Sequence, residues 1–246
     1  ARLHYILAAE LLQQDPETRV RSIGILSELL EKEPDDSELM IKIADLCVSE
    51  ERLDEGYDYY CRAANTLLEK GEVDEAISQF LSALAVKPED AELYARVADL
   101  YEQTGNIEEA INSYATISEI NEKKDRKSEN IEIYEKILAL NKDLKPTRLK
   151  LARLYEEESI LDQATSQYLT LGKGYEEENE KEKALDIYRH VKEINPGEEE
   201  NRLRMVEIFL SMEDSEKARA ELEDLAGLAM QTQRMEDAEN YLLRVR

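Results

Sequence analysis

The residue types best suited to chemistry are scarce in this 246-residue sequence. It holds two histidines, His4 and His190, and two cysteines, Cys47 and Cys61. Neither histidine has a second histidine or a cysteine at ligand spacing, so both read as ordinary helix residues and not as a metal site. The two thiols fit no metal motif and build no disulfide framework. They are expected to be small buried residues in a reducing compartment. GxSxG, HExxH, GxGxxG and phosphate-loop signatures are all missing from the sequence. Carboxylates are abundant, but runs such as EEEN (176–179) and GEEE (197–200) read as solvated faces or helix starts. No motif implies a cofactor, and no enzyme activity is expected of this segment.

The chemistry that recurs is cationic. Lys42, Arg96, Lys150 and Arg204 follow one another at intervals of 54 residues, in a chain whose 57 Asp and Glu against 32 Lys and Arg give a net charge of −25. Such a ladder is the candidate protein-binding face, turned toward acidic groups of a partner. A simpler reading competes with it. Glu38–Lys42, Glu92–Arg96 and Glu200–Arg204 are acid-before-base pairs four residues apart, each worth about 0.2–0.5 kcal/mol to its helix. Bridges between repeats are a third use for the same cations. The overall charge argues against nucleic acid and anionic membrane surfaces, which need a basic footprint. Another protein is the expected partner.

The elements that position the ladder follow from the same spacing. Ala44, Ala98, Ala152 and Val206 fall in register, as do Cys47, Tyr101, Tyr155 and Phe209. Gly56, Ala110, Ala164 and Ala218 form a small column; Tyr60, Tyr114, Tyr168 and Leu222 form a large one. Phe80, Tyr134, Tyr188 and Leu242 align too, with Leu26 one repeat earlier. Large residues that recur beside small ones at helical spacing are core, so the tyrosines read as packing and not as stacking platforms. The repeats run 35–88, 89–142, 143–196 and 197–246, after a partial one at 1–34.

Each repeat divides into three helical stretches, near 147–158, 161–178 and 181–194 in the third complete one. Pro146 and Pro196 are expected to stop the chain between repeats, and Gly71 and Gly105 to cap helices in the left-handed conformation. Nothing breaks 53–70, 107–122 or 161–178, so each is predicted to be one helix. Gly174 lies inside the last of these, where a kink or loosened packing is expected. The fold class is therefore an all-α solenoid of about 14 helices. No apolar run approaches the length of a membrane span. The opening ARLHYILAAELLQQ lacks a signal-peptide pattern. The cytoplasm is the expected compartment. The sequence opens in the middle of a repeat at Tyr5–Ala9 and closes inside a third helix at Leu243, as a fragment of a longer array would.

The stretch LYARVADLYEQTGNIEEAINSY (93–114) resembles a tetratricopeptide repeat. Tyr94, Val97, Ala98, Tyr101, Gly105, Ala110 and Tyr114 stand at that family's large–large–small–large–Gly–small–large positions. Residues 60–88 and 168–196 match in the same way. The departure is in period, 54 and not 34, with the second helix of one repeat fused to the first of the next. The resemblance implies a helical array that presents a groove to another protein, in the style of bacterial assembly or motility scaffolds. Chaperone-binding members hold a peptide carboxylate with Lys, Asn and Arg; here the matching positions include Ile41, Asp45, Ala95 and Asp99, so that clamp is missing. The expected function is a protein-interaction scaffold. The alternatives are an arm of a larger enzyme whose chemistry lies elsewhere, and a self-assembling element whose uncapped ends stack.

Overall fold

The computed structural model describes Leu7 and residues 18–244; His4 and the segment Tyr5–Ala9 as a whole lie outside them. Among the described residues there are thirteen α-helices and no strand. The fold is all-α and of the solenoid class. The chain divides into two compact units, one up to Asp125 and one from Arg126. The first holds α1 (Arg19–Leu30), α2 (Ser37–Ser49), α3 (Leu53–Glu69), α4 (Val73–Val86), α5 (Ala91–Thr104) and α6 (Ile107–Lys123). The second holds α7 (Lys127–Leu140), α8 (Lys145–Glu157), α9 (Leu161–Glu177), α10 (Lys181–Ile194), α11 (Glu199–Ser211), α12 (Ser215–Gln231) and α13 (Met235–Arg244). Within each unit every helix packs on the next one in sequence. No helix of the described residues is long and apolar enough to cross a membrane.

The three unbroken stretches are single helices: α3, α6 and α9 each run 17 residues without a turn, and α12 repeats the length. Glycine 174 does not interrupt α9. Its missing side chain leaves room for Lys145 at the start of α8, whose Nζ donates to the Gly174 carbonyl at 3.0 Å. Gly172 is small for a different reason, since the Tyr188 ring lies against its backbone where a Cβ would stand. Pro146 corrects the sequence reading. It does not stop the chain but sits in the first turn of α8, which begins at Lys145. A helix start tolerates proline because the N–H it lacks has no partner there anyway.

The turns carry the repeat more faithfully than their residue types suggest. Gly71 and Gly105 adopt positive φ, at 80° and 78°. Asp125, Asn179 and Gln233 repeat the geometry of Gly71 at the 54-residue spacing, and Glu51, Ser159 and Glu213 repeat that of Gly105. After seven of these eight residues the next N–H reaches back to a carbonyl in the last helical turn, as in Asn106 to Tyr101 at 2.8 Å and Ile160 to Tyr155 at 2.7 Å. This is the Schellman closure, which satisfies carbonyls that a helix end leaves open. Two of the four remaining junctions use an acid: Asp36 and Asp90 accept from Leu39 and Leu93 N–H at 3.1 and 3.0 Å.

The core is the set of aligned columns. Phe80, Tyr114, Tyr134, Tyr168 and Tyr188 are buried, and so are Ala44, Ala98, Ala152 and Val206. Leu242 departs from its column at 40% exposure. Full burial of a large apolar side chain is worth about 1.5–3 kcal/mol, and these columns supply it helix by helix. Cys47 is buried as expected, but Cys61 is only half-buried, beside Tyr57; burial raises both thiols above their ordinary pKa.

Candidate functional site

The four recurring cations lie on corresponding helices: Lys42 on α2 and Arg96 on α5 in the first unit, Lys150 on α8 and Arg204 on α11 in the second. Arg96 and Lys150 are exposed; Lys42 and Arg204 are half-buried. Each has its own set of neighbours. Lys42 pairs with Glu38 at 3.1 Å and Arg204 with Glu200 at 3.2 Å, the expected four-residue pairs. The third expected pair, Glu92–Arg96, does not form. Arg96 turns instead to the preceding helices, donating to Asn65 Oδ1 at 2.5 Å with its guanidinium 4.6 Å from the Phe80 ring centroid.

That contact shows what the spacing means. Lys150 Nζ lies 5.6 Å from the centroid of Tyr134, which occupies the Phe80 column. Arg204 is an electrostatic neighbour of Tyr188 in the same column and reaches Glu176 at 3.5 Å. At Arg96 and Lys150 the cation on the first helix of a repeat therefore lies against the buried aromatic of the third helix before it; Lys42 has Leu26 in that column instead. The attraction is to the ring's negative face, at about 0.5–1 kcal/mol where exposed. Two of the four cations are thus seated over core rings.

Sequence reasoning missed a second set of residues. Buried phenols need hydrogen-bond partners, and the abundant carboxylates supply them. Tyr114 donates to Asp99 at 3.0 Å and Glu102 at 2.8 Å, and Tyr168 to Glu156 at 2.9 Å. Tyr60 donates to Asp45, Tyr155 to Glu135 and Tyr188 to Glu176. Burial and the Glu135 hydrogen bond push the Tyr155 phenol up to about 12. His190 Nε2 joins one such pair, 2.8 Å from Glu156 Oε2, with its ring edge-on to Tyr168. Asp45 and Asp99, which stand where chaperone-binding repeats keep clamp residues, are thus occupied as tyrosine acceptors. Among the described residues no group of three or more His, Cys, Asp or Glu is placed to hold a metal ion.

Residues 67–126 match the model of the tetratricopeptide repeat family. Among solved structures, the chain is similar to a signal transduction ATPase with numerous domains that carries a tetratricopeptide repeat sensor, from Pyrococcus horikoshii. The two are 18% identical over 96% of this chain and 42% of that one, with a TM-score of 0.37. The chain thus spans less than half the length of that protein. BtubC from P. vanneervenii is 19% identical over 96% and 88% of the two chains, at a TM-score of 0.31. YrrB, a TPR protein with an unusual peptide-binding site, is 17% identical over 72% and 95%, at 0.25. No curated protein matches the sequence.

Proposed function

We propose that this chain, a tetratricopeptide-like helical repeat array, is a non-catalytic protein–protein interaction scaffold. We further propose that its repeats 35–88, 89–142, 143–196 and 197–246 act as one array within a larger assembly. Lys42, Arg96, Lys150 and Arg204 form part of the contact face. The observation that carries this reading is the placement of the four cations. They recur on the first helix of every repeat, and at least two are seated over core rings. Pre-positioned cations in a field of −25 orient an acidic face of a partner at little cost in side-chain ordering.

The test is charge reversal at Arg96→Glu with Lys150→Glu, read against a partner isolated from the native source with the wild-type chain. Loss of two exposed ring contacts costs about 1–2 kcal/mol of stability, so helical circular dichroism is expected to persist. Affinity is expected to fall more than tenfold, about 1.4 kcal/mol. Wild-type affinity in a folded double variant would remove the ladder from the contact face.

A further inference from the structure

Where the third helix of one repeat meets the first two of the next, the chain pairs its own side chains in three repeats and leaves one unpaired. In repeat 143–196, Arg148 donates to Gln167 Oε1 at 2.7 Å and Tyr155 donates to Glu135. In repeat 197–246, Arg202 donates to Glu221 at 2.5 Å, and Lys217 Nζ lies 5.8 Å from the Phe209 ring centroid. In repeat 35–88, Tyr59 packs against the core with the Arg62 guanidinium 5.0 Å from its ring centroid. Arg52 there meets Glu55 with two hydrogen bonds, at 2.8 and 2.5 Å. Repeat 89–142 keeps the acid, as Glu109, but none of these cations. Asn106 stands in the place of Arg52, Thr116 in that of Arg62, and Ser113 in that of Tyr59.

The result is a hollow of about 230 Å³ among α4, α5 and α6 of the first compact unit. Leu81, Tyr94, Tyr101, Glu109, Asn112 and Thr116 line it, and no Lys, Arg or His does. Ser113 is too short to fill it and turns its hydroxyl to the Glu109 carbonyl at 2.9 Å. Leu81 is left exposed, in the column where the next repeat has Glu135 to receive Tyr155. The Glu109 side chain is exposed and forms no ion pair among the described residues. Its charge reaches the rings: burial first, and the Glu109 carboxylate second, raise the Tyr101 phenol above its ordinary pKa. An unpaired acid beside two half-buried tyrosines is thus the chemistry of this groove.

We propose that the groove among α4, α5 and α6 takes an arginine side chain of a partner protein, its guanidinium paired with Glu109 against Tyr94 and Tyr101 and an apolar neighbour of that arginine on Leu81. The chain itself supplies the template, since Arg52 on Glu55 and Arg62 on Tyr59 are the contacts that repeat 89–142 lacks. A guanidinium is planar, meets a carboxylate with two bonds and stacks on an aromatic face. Charge complementarity selects against an acid, because the one charged group lining the groove is a carboxylate in a chain of −25. The proposal rests on the scaffold reading and adds a surface with a preference opposite to that of the ladder.

A fluorescein-labelled peptide of sequence GSLRLSG, titrated with the full chain, tests this beside the same peptide with glutamine for arginine. The arginine peptide is expected to bind at least tenfold more tightly than its glutamine counterpart. Glu109→Gln should weaken it tenfold or more. So should Asn106→Arg, which restores the cation that repeat 35–88 holds as Arg52; the two positions share their backbone geometry, with φ at −84° in both. Glu108→Gln removes the same charge one residue away and should leave binding unchanged. Equal binding of the two peptides, wild-type affinity in a folded Glu109→Gln or Asn106→Arg chain, or an equal loss in Glu108→Gln overturns the proposal. Displacement of the peptide by tetramethylammonium at equal concentration also overturns it, by making the groove a site for a small ammonium ion. The ladder is read against its own partner, so failure of one site leaves the other standing.

Discussion

At the scale of single residues, several carboxylates serve as acceptors for buried phenols. Glu156 receives both Tyr168 and His190. Burial raises its pKa, but the hydrogen bonds from His190 and Tyr168 outweigh that and leave it below the ordinary glutamate value. A carboxylate whose pKa is depressed on folding adds stability above its unfolded pKa, and that stability is lost as pH falls through the folded value. Urea unfolding of the wild-type chain is therefore expected to show a loss of stability below about pH 4.3, the unperturbed value for glutamate. Glu156→Gln should lower stability at pH 7 and flatten that acid limb. An unchanged limb in the variant would show that Glu156 does not carry it. The burial of Tyr168 is legible in the sequence, because it recurs with Tyr60 and Tyr114 beside the small column. Its acceptor is not. Tyr114 and Tyr168 reach a glutamate twelve residues back, Glu102 and Glu156, but Tyr60 reaches Asp45, fifteen back. No single spacing announces the pair. The Glu92–Arg96 pair misled for a related reason, since four-residue spacing permits contact while the Phe80 ring and Asn65 compete for the same guanidinium.

At the scale of elements, helix lengths follow from breakers and their absence, and so could be read in advance. Turn geometry could be read only where glycine marks it. Ser159 holds φ at 60° in the place of Gly105. A left-handed conformation costs an ordinary L-residue about 1–2 kcal/mol, less the roughly 0.5–1 kcal/mol that glycine loses in unfolded-state entropy. Ser159→Gly is therefore expected to stabilise the second unit by about 0.5–1 kcal/mol, and Gly105→Ala to destabilise the first by a similar amount. Denaturant midpoints of the two variants decide it; a destabilised Ser159→Gly would show that the serine side chain holds the turn in some other way. Pro146 was misread because it acts together with a glycine on the next helix. The helix that starts at Lys145, with Pro146 in its first turn, sends the lysine side chain into the space Gly174 leaves.

At the scale of the whole molecule, the order of packing was legible because each helix packs on its neighbour in sequence within each compact unit. The division at Asp125 and Arg126 was not, since it falls inside the repeat 89–142, between its second and third helices. Stability in such a chain is close to a sum over neighbouring interfaces. Tyr168→Ala, which empties a buried aromatic site at a cost of about 3–5 kcal/mol, should strip amide-exchange protection from the second unit while the first keeps most of its own. Uniform loss along the chain would mean that the two units unfold as one.

The two columns of left-handed turn residues have a consequence for how such a chain changes its length. Removing residues 160–213 would join Ser159 to Asp214, one turn to its counterpart, with Ala218 taking the place of Ala164 and Leu222 that of Tyr168. An indel inside a helix that is not a whole repeat rotates the rest of that helix away from its neighbours. Growth and shrinkage are therefore quantised: the gene can gain or lose whole repeats at equivalent turns, and smaller edits are purged wherever they fall within a helix.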